Sequence, residues 1–256
     1  MKHLWINADD FGLSDGVSAG IVEAVLRGAV HSTTAMVCAG GASATLARHA
    51  PAIPGRIGLH LQLTGGVPCC APGEVPSLVD ADGRFPRKRK DLGRPDPREV
   101  EREWEAQLAL LRSLGITPSH LDSHHHVHRQ PGLFEVFVRM AVRHGLPARG
   151  GGPLWAGALR HQGVPTADAF CDAFYDGALD VDHLLAAAGS AAKRAPEGGT
   201  VELMSHPGYV DDDLRAQSIY VEPRERELAT LCSPELPARL EKLGLVLAGP
   251  AQLRAA

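Results

Sequence analysis

The sequence lacks any long apolar segment. No stretch of its 256 residues approaches the roughly 20 apolar residues that cross a bilayer. The first ten residues, Met1 to Asp10, reach acidic side chains before the apolar core of a signal peptide could form. We therefore expect a cytoplasmic protein with no membrane partner.

The sequence also lacks a surplus of positive charge. Its 26 lysines and arginines are outnumbered by 30 aspartates and glutamates, which gives a net charge of −4. Proteins that bind nucleic acid usually carry a basic surplus or a basic stripe. The single basic run, Arg87 to Arg94, lies among proline, glycine and aspartate. We interpret this run as a solvated loop and expect no nucleic-acid partner.

Cysteine is scarce and irregularly spaced. The five cysteines form an odd number, include one adjacent pair, Cys69 and Cys70, and never occur as C-x-x-C. This pattern excludes a disulfide framework and a zinc ribbon. We expect reduced thiols with a structural role.

What the chain does contain is a regular alternation of short apolar runs and helical patterns. The predicted strands are Leu4 to Ala8, Thr33 to Val37, Ile57 to Leu63, Ser119 to Asp122, Val201 to Met204 and Leu245 to Leu247, with weaker ones near Pro147 to Arg149 and Ala167 to Phe170. The predicted helices are Gly16 to Arg27, Ala42 to His49, Pro97 to Leu114, Leu133 to His144, Val181 to Arg194 and Pro234 to Leu243.

This alternation predicts parallel strands joined by right-handed crossovers, in an open sheet or in a barrel. No G-x-G-x-x-G motif follows the first strand, which removes the usual reason to favour a dinucleotide-binding sheet. We therefore predict a single α/β domain over residues 1–256, a distorted (β/α) TIM-like barrel with helices outside. In such a barrel the chemistry lies at the carboxyl ends of the strands.

Ionisable residues lie at the ends of four predicted strands. Asp9 and Asp10 end the first strand, His60 lies in the third, a histidine-rich segment follows Asp122, and His206 follows Met204. Each alone has an ordinary structural explanation, such as a helix cap or a hydrogen-bonded core histidine. Parallel strands would bring all four to one rim, which indicates a site.

The segment His120 to His128 is the strongest signal, because five of the 13 histidines fall within nine residues. In an extended segment, His124 and His126 would share a face about 6.6 Å apart. In a helical turn, His124 and His128 would instead be neighbours at about 5 to 6 Å. His124 belongs to both arrangements, and His126 and His128 remain additional candidate site residues.

One carboxylate and two imidazoles form a familiar catalytic metal site that leaves positions open for water and substrate. Asp10, His60 and His124 would supply this set. Asp9 would then be placed as general base, and His206 as general acid. Adjacent strand residues point to opposite faces, so both aspartates reach the site only if the backbone bends there.

At these residues the sequence resembles the YdjC-like carbohydrate deacetylases, most closely the chitooligosaccharide (diacetylchitobiose) deacetylase branch. The resemblance rests on Asn7-Ala8-Asp9-Asp10-Phe11-Gly12-Leu13-Ser14, Ser32-Thr33-Thr34-Ala35, Gly58-Leu59-His60-Leu61-Gln62-Leu63-Thr64, the segment from Pro118 to His128, and Ser205-His206-Pro207. These motifs occur in the order of the family.

The resemblance implies a distorted TIM-like barrel that hydrolyses the N-acetyl group of an N-acetylglucosamine unit with one divalent metal ion. It implies that Asp9 accepts a proton, that Asp10, His60 and His124 bind the metal, and that His206 is the acid. Family usage points to magnesium, whereas two imidazoles suit zinc, cobalt or manganese better, so the element stays open. Residues 67–95 and 150–180 match no motif of the family, and loops of this kind over the mouth of a barrel determine the substrate. An N-acylated antibiotic or a lipid-linked sugar is therefore an alternative substrate.

Two other functions fit parts of the pattern. A metal-dependent phosphoesterase on a similar barrel would bind two ions, for which the histidine cluster could supply ligands. A sugar-binding or metal-storage module without activity is a weaker alternative, because no expected base or ligand is missing. The sequence does not reveal the oligomeric state, although symmetric dimers are common.

Overall fold

The computed structural model describes residues 1–253. Its strands are β1 (Lys2–Phe11), β2 (Ser32–Ala35), β3 (Ile57–Leu61), β4 (Leu121–Ser123), β5 (Ala169–Cys171), β6 (Thr200–Ser205) and β7 (Leu245–Ala248). Its α-helices are α1 (Asp15–Arg27), α2 (Ala42–His49), α3 (Pro97–Ser113), α4 (Leu133–His144), α5 (Pro153–His161), α6 (Val181–Ala192), α7 (Asp212–Gln217), α8 (Pro223–Leu231) and α9 (Leu236–Lys242).

All strand pairs are parallel, in the order β4-β3-β2-β1-β6-β5, and β7 pairs with the first residues of β1. Beyond β4 the curvature continues through an isolated bridge between Leu121 and Ala148. The amide of Ala148 in turn donates to the Pro165 carbonyl, close to the start of β5. The sheet is therefore a curled, incomplete barrel with helices around it, and the predicted distorted (β/α) barrel is confirmed.

The helices cover the barrel with apolar stripes at helical spacing. In α3, the side chains of Val100, Trp104, Leu108 and Leu111 are at most 1% exposed. The Asp96 carboxylate caps this helix by accepting a hydrogen bond from the amide of Arg98 at 2.8 Å. These strands and helices form one large core that supports the carboxyl ends of the strands.

All six predicted helices and the six clear strands are present, with ends shifted by a few residues. The weak strand near Ala167 is β5, whereas the one near Pro147 is reduced to the bridge at Ala148. Three helices were not predicted, namely α5, α7 and α8. Each has nine residues or fewer, so an apolar repeat has few positions in which to appear, although α2 and α9, with eight and seven residues, were predicted. Among residues 1–253, no helix combines the length and apolar character needed to cross a membrane.

Candidate active site

The end of β1 bends so that two consecutive aspartates face the same site. The register between β1 and β2 shifts between Ala8 and Phe11, and Asp10 lies in the left-handed region with φ of 73°. Aspartate tolerates this conformation better than most residues. Asp9 and Asp10 are each only 2% exposed. The bend required for both carboxylates to reach one site is therefore present.

Asp10, His60 and His124 converge on one point. Asp10 Oδ1 lies 3.4 Å from His60 Nε2 and 3.3 Å from His124 Nδ1. This oxygen is buried and has no partner of hydrogen-bonding geometry within residues 1–253. The other oxygen, Oδ2, accepts a hydrogen bond from Arg224 Nη2 at 2.7 Å. Arg224 thus leaves Asp10 Oδ1 as an unused ligand atom.

This group fits a divalent metal ion. One ligand atom from each of Asp10, His60 and His124 lies within 4.8 Å of the others, and an oxygen with two imidazole nitrogens is a familiar catalytic donor set. His60 Nδ1 contacts Asp122 Oδ1 at 2.6 Å, the carboxylate support typical of a metal-binding histidine. Although burial opposes it, Asp122 and Asp10 raise the pKa of His60 to about 10. The surrounding carboxylates therefore favour a positive charge at this position.

Asp9 is held by a buried arginine instead. Arg149 Nη1 and Nη2 donate to its two oxygens at 2.6 and 2.7 Å, and Asn7 Nδ2 donates to Oδ1 at 2.8 Å. Burial alone would raise the pKa of Asp9, but the Arg149 guanidinium outweighs it and lowers this pKa far below its usual range. Asp9 is therefore an oriented, ionised carboxylate.

Arg149 joins three carboxylates. Besides Asp9, its guanidinium contacts Asp122 Oδ2 at 2.9 Å and Glu202 Oε1 at 2.6 Å, and all four side chains are at most 2% exposed. Asp9, His60 and Asp122 also have the spacing of a metal-binding group. Because Arg149 already bonds both of these carboxylates, a second cation between them would have to displace it.

His206 follows β6 and lies against an aromatic wall. Its backbone amide donates to Glu227 Oε2 at 2.6 Å, and its ring packs edge-on to those of Tyr175 and Tyr220 at 5.2 and 5.7 Å. Its Nδ1 is buried without a partner in the described part of the chain. Burial lowers the pKa of His206 to about 4, so the ring is neutral at neutral pH.

The histidine-rich segment adopts neither the extended nor the regular helical geometry considered for it. It forms a 3₁₀ turn over His124–Arg129, with positive φ at His125 (53°) and His126 (51°). His124 faces Asp10, whereas His128 contacts Ser123 Oγ at 2.6 Å and stacks on Phe137 at 4.5 Å. His126 packs edge-on to Phe170 and His128. The structure does not bring His126 or His128 into the Asp10 group.

Among the charged residues of the site, Asp122, Arg149, Arg224 and Glu202 were not predicted as site residues, although Asp122 was expected to end a strand. Arg149 ends the weak strand candidate at Pro147 to Arg149, so its place at a strand end was a usable signal. Arg224 lies in the short helix α8, which was not predicted, and Glu202 lies in the middle of β6. Neither position stands out without the fold.

All five cysteines lie within residues 1–253, and each is a free thiol. Cys38 Sγ and Cys69 Sγ lie 3.8 Å apart beside Glu103. The three side chains are close enough together to serve as ligands of one metal ion. The Glu103 carboxylate already accepts the backbone amides of Cys69 and Cys70, both at 2.9 Å. Glu103 therefore anchors the segment after β3 to α3.

Known proteins resemble this chain over nearly its whole length. The profile of the family described as YdjC-like protein matches residues 3–242. A carbohydrate deacetylase of Geobacillus stearothermophilus is 40% identical over 96% of both chains. A chitooligosaccharide deacetylase of Serratia marcescens is 38% identical over 96% of this chain and 97% of its own. A solved structure from Enterococcus faecalis, of a protein proposed to cleave cellobiose phosphate, has a TM-score of 0.87 and 35% identity over 98% of each chain.

The names of the two curated relatives agree with the predicted enzyme class, because a carbohydrate deacetylase hydrolyses a linear amide or an ester. The match to the family profile and the identities of these relatives confirm the predicted resemblance. The chain belongs to the YdjC-like protein family.

Proposed function

We propose that this chain is a metal-dependent carbohydrate deacetylase that removes the N-acetyl group from an N-acetylglucosamine-containing sugar and releases acetate. The observation that carries the proposal is the triangle of Asp10, His60 and His124 beside the ionised Asp9. The names of the relatives support a carbohydrate substrate. A chitooligosaccharide such as diacetylchitobiose is the favoured substrate, because the Serratia relative is named for that class.

Asp10, His60 and His124 would hold one divalent ion. When bound, the ion would polarise the acetamide carbonyl and acidify a water molecule. The two imidazoles favour zinc, cobalt or manganese, whereas the carboxylate is also suited to magnesium. Arg224 would keep the Asp10 carboxylate in place, and Asp122 would orient the His60 ring.

Asp9 would take the proton from the attacking water. A carboxylate has about four acceptor directions, and Arg149 and Asn7 use three of them in Asp9. One direction is therefore left for a water proton. Because Arg149 keeps Asp9 ionised, no proton has to leave Asp9 before the reaction begins.

His206 would protonate the departing amine. Its ring lies at the end of β6, the strand next to β1, so that it reaches the same rim as the two aspartates from another side. Because the resting ring is neutral, His206 would first take up a proton from solvent, which the negative charge developing on the substrate would favour, and would then pass that proton to the amine. Its hydrogen bond to Glu227 fixes the backbone at this position.

The test is acetate release from diacetylchitobiose by protein stripped of metal and resupplied with magnesium, zinc, manganese or cobalt in turn. We expect release only with an added ion, and one tightly bound ion per chain by elemental analysis. His124→Ala should lose both the ion and the activity. His161→Ala, a change at an exposed histidine of α5, is the matched control and should keep both.

No release with any ion would contradict the proposed substrate. Two tightly bound ions per chain would instead favour the phosphoesterase alternative, in which a second ion competes with Arg149 for Asp9 and Asp122. An unchanged metal content in His124→Ala would remove His124 from the ligand set.

A further inference from the structure

An exposed aromatic ring stands at the rim of the candidate active site. Tyr175 lies in the loop between β5 and α6, on the rim that carries the site, and is 45% exposed. One face of its ring stacks on Tyr220, with centroids 4.3 Å apart and planes 12° apart. Its ring centroid lies 5.2 Å from that of His206. The exposed surface of Tyr175 therefore borders the residue assigned as proton donor.

The supporting ring is fixed by two hydrogen bonds at its hydroxyl group. The Tyr220 hydroxyl accepts from the amide of Asp176 at 3.1 Å and donates to Glu227 Oε1 at 2.5 Å. The other oxygen of Glu227 accepts the amide of His206 at 2.6 Å. Tyr175, Tyr220 and His206 are thus parts of one rigid assembly, in which Glu227 connects the aromatic pair to the site.

The loop that carries Tyr175 is also held in an unusual shape. Asp176 and Leu179 have positive φ values of 61° and 49°, which L-residues with large side chains rarely adopt. The turn is tied down where the Thr230 hydroxyl donates to the Leu179 carbonyl at 2.6 Å. The Tyr175 ring is therefore held in place before any ligand binds, which reduces the entropy lost on binding.

Packing alone does not explain Tyr175. Tyr220 is 9% exposed and serves the interior, whereas nearly half of Tyr175 remains in solvent. Rigid aromatic surface beside a polar catalytic group is typical of ligand sites, where apolar walls hold the ligand and a few polar groups orient it.

We propose that the exposed face of Tyr175 binds the pyranose ring that carries the reacting N-acetyl group. A pyranose offers a face of C–H groups that packs on an aromatic ring, while its hydroxyl groups point outwards. Contact with both His206 and Tyr175 fits a single sugar ring, because their centroids are only 5.2 Å apart. This inference rests on the proposed deacetylase function and adds a substrate-binding residue to it.

The experiment compares Tyr175→Ala and Tyr175→Phe with the wild type in acetate release from diacetylchitobiose. Loss of the ring should raise KM about tenfold, as expected for loss of an aromatic contact worth about 1.4 kcal/mol, and change kcat less. Tyr175→Phe should stay near the wild-type KM. Tyr209→Ala is the matched control, because Tyr209 is similarly exposed (41%) and its hydroxyl bonds Glu23 of α1.

A binding measurement separates the contact from the chemistry. Diacetylchitobiose is titrated calorimetrically into metal-loaded Asp9→Asn protein, with and without the Tyr175→Ala change. Tyr175→Ala should weaken the affinity by about the same tenfold factor as it raises KM. Equal KM and equal affinity in wild type and Tyr175→Ala would overturn the proposed contact between Tyr175 and the sugar ring. The proposed deacetylase function would be unaffected. A fall in kcat at constant KM would also overturn this contact, because Tyr175 would then act through His206. If the wild type released no acetate, both the proposed substrate and the proposed contact of Tyr175 with its sugar ring would be overturned.

Discussion

Replacing Glu202 by glutamine should make the protein more stable at alkaline pH and leave it unchanged at acidic pH. Glu202 is fully buried, its Oε1 accepts from Arg149 Nε, and its Oε2 has no partner in the described residues. Burial, together with the negative charges of Asp122 and Asp9, raises its pKa to about 7, although Arg149 acts in the opposite direction. In the unfolded chain its pKa returns to about 4.5.

The direction of this pH dependence follows from whether Glu202 holds a proton in the folded and in the unfolded protein. Between pH 4.5 and 7 the folded protein keeps the proton of Glu202 while the unfolded chain loses it. The stabilisation is therefore complete below about pH 4.5 and is lost as the pH rises through 7. At 1.36 kcal/mol per pH unit, this group should remove about 3 kcal/mol from the free energy of unfolding across that window.

The assay is urea unfolding at pH 5 and pH 8. Glu202→Gln removes the titration and retains an oxygen for Arg149 Nε, so the gap between variant and wild type should grow by a few kcal/mol from pH 5 to pH 8. Glu222→Gln, whose side chain is 70% exposed, is the control and should show no such change. The same gap at both pH values would show that Glu202 is ionised throughout and that its pKa is not raised in the folded protein.

Arg149→Gln should have the opposite effect. It leaves Asp9, Asp122 and Glu202 buried without their shared cation. Removing one partner of a buried ion pair costs about 3 to 5 kcal/mol, which is a large part of the roughly 5 to 15 kcal/mol that stabilises a domain. A stable Arg149→Gln protein at pH 8 would mean that these carboxylates are less charged than their contacts indicate.

Four further changes test the site and its support. Asp9→Asn should retain bound metal but lower kcat by about 10² to 10⁴, whereas His60→Ala should lose both, and near wild-type turnover in Asp9→Asn would remove Asp9 as base. Trp104→Ala, which empties a fully buried position in α3, should cost about 3 to 5 kcal/mol in urea unfolding with little change in m. Gly66→Ala should lower the melting temperature, because Gly66 has φ of +89° and a Cβ would lie 2.0 Å from the Cys38 carbonyl oxygen. An unchanged melting temperature in Gly66→Ala would show that this segment shifts freely.

The sequence was informative wherever one hydrophobic pattern extends over a whole element. The apolar stripe of α3 and the apolar run of β1 predict that both elements are buried. The polar residues that follow the strands indicate that the site lies at the carboxyl ends of the strands. Because parallel strands end on one side of the sheet, the sequence alone predicted that Asp10, His60 and His124 lie close together. The fold supplied the proximity, and the residue types supplied the chemistry.

Backbone conformation was harder to predict than position. The requirement that β1 bend at its end follows from two adjacent aspartates serving one site, but the pattern does not say which residue takes the left-handed conformation. In the structure Asp10 takes it, together with a register shift. The histidine run has two consecutive positive φ values, at His125 and His126, which no regular period describes. The rings of His124 and His128 consequently have different neighbours from those that either regular geometry would give.

The buried arginines have a reason that becomes visible only when the charges of the site are counted. Four buried carboxylates lie around the candidate metal position, namely Asp9, Asp10, Asp122 and Glu202, and a fifth, Glu227, lies beside His206 with its pKa raised to about 7 by burial. Arg149 and Arg224 neutralise two of the first four charges, and a divalent ion would neutralise the other two. Without an ion, a proton on His60 and one on Glu202 achieve the same balance, in agreement with the raised pKa of each. A cluster of acidic residues at the strand ends therefore requires buried cations from elsewhere in the chain, and a search for arginines at the remaining strand ends would have led to Arg149.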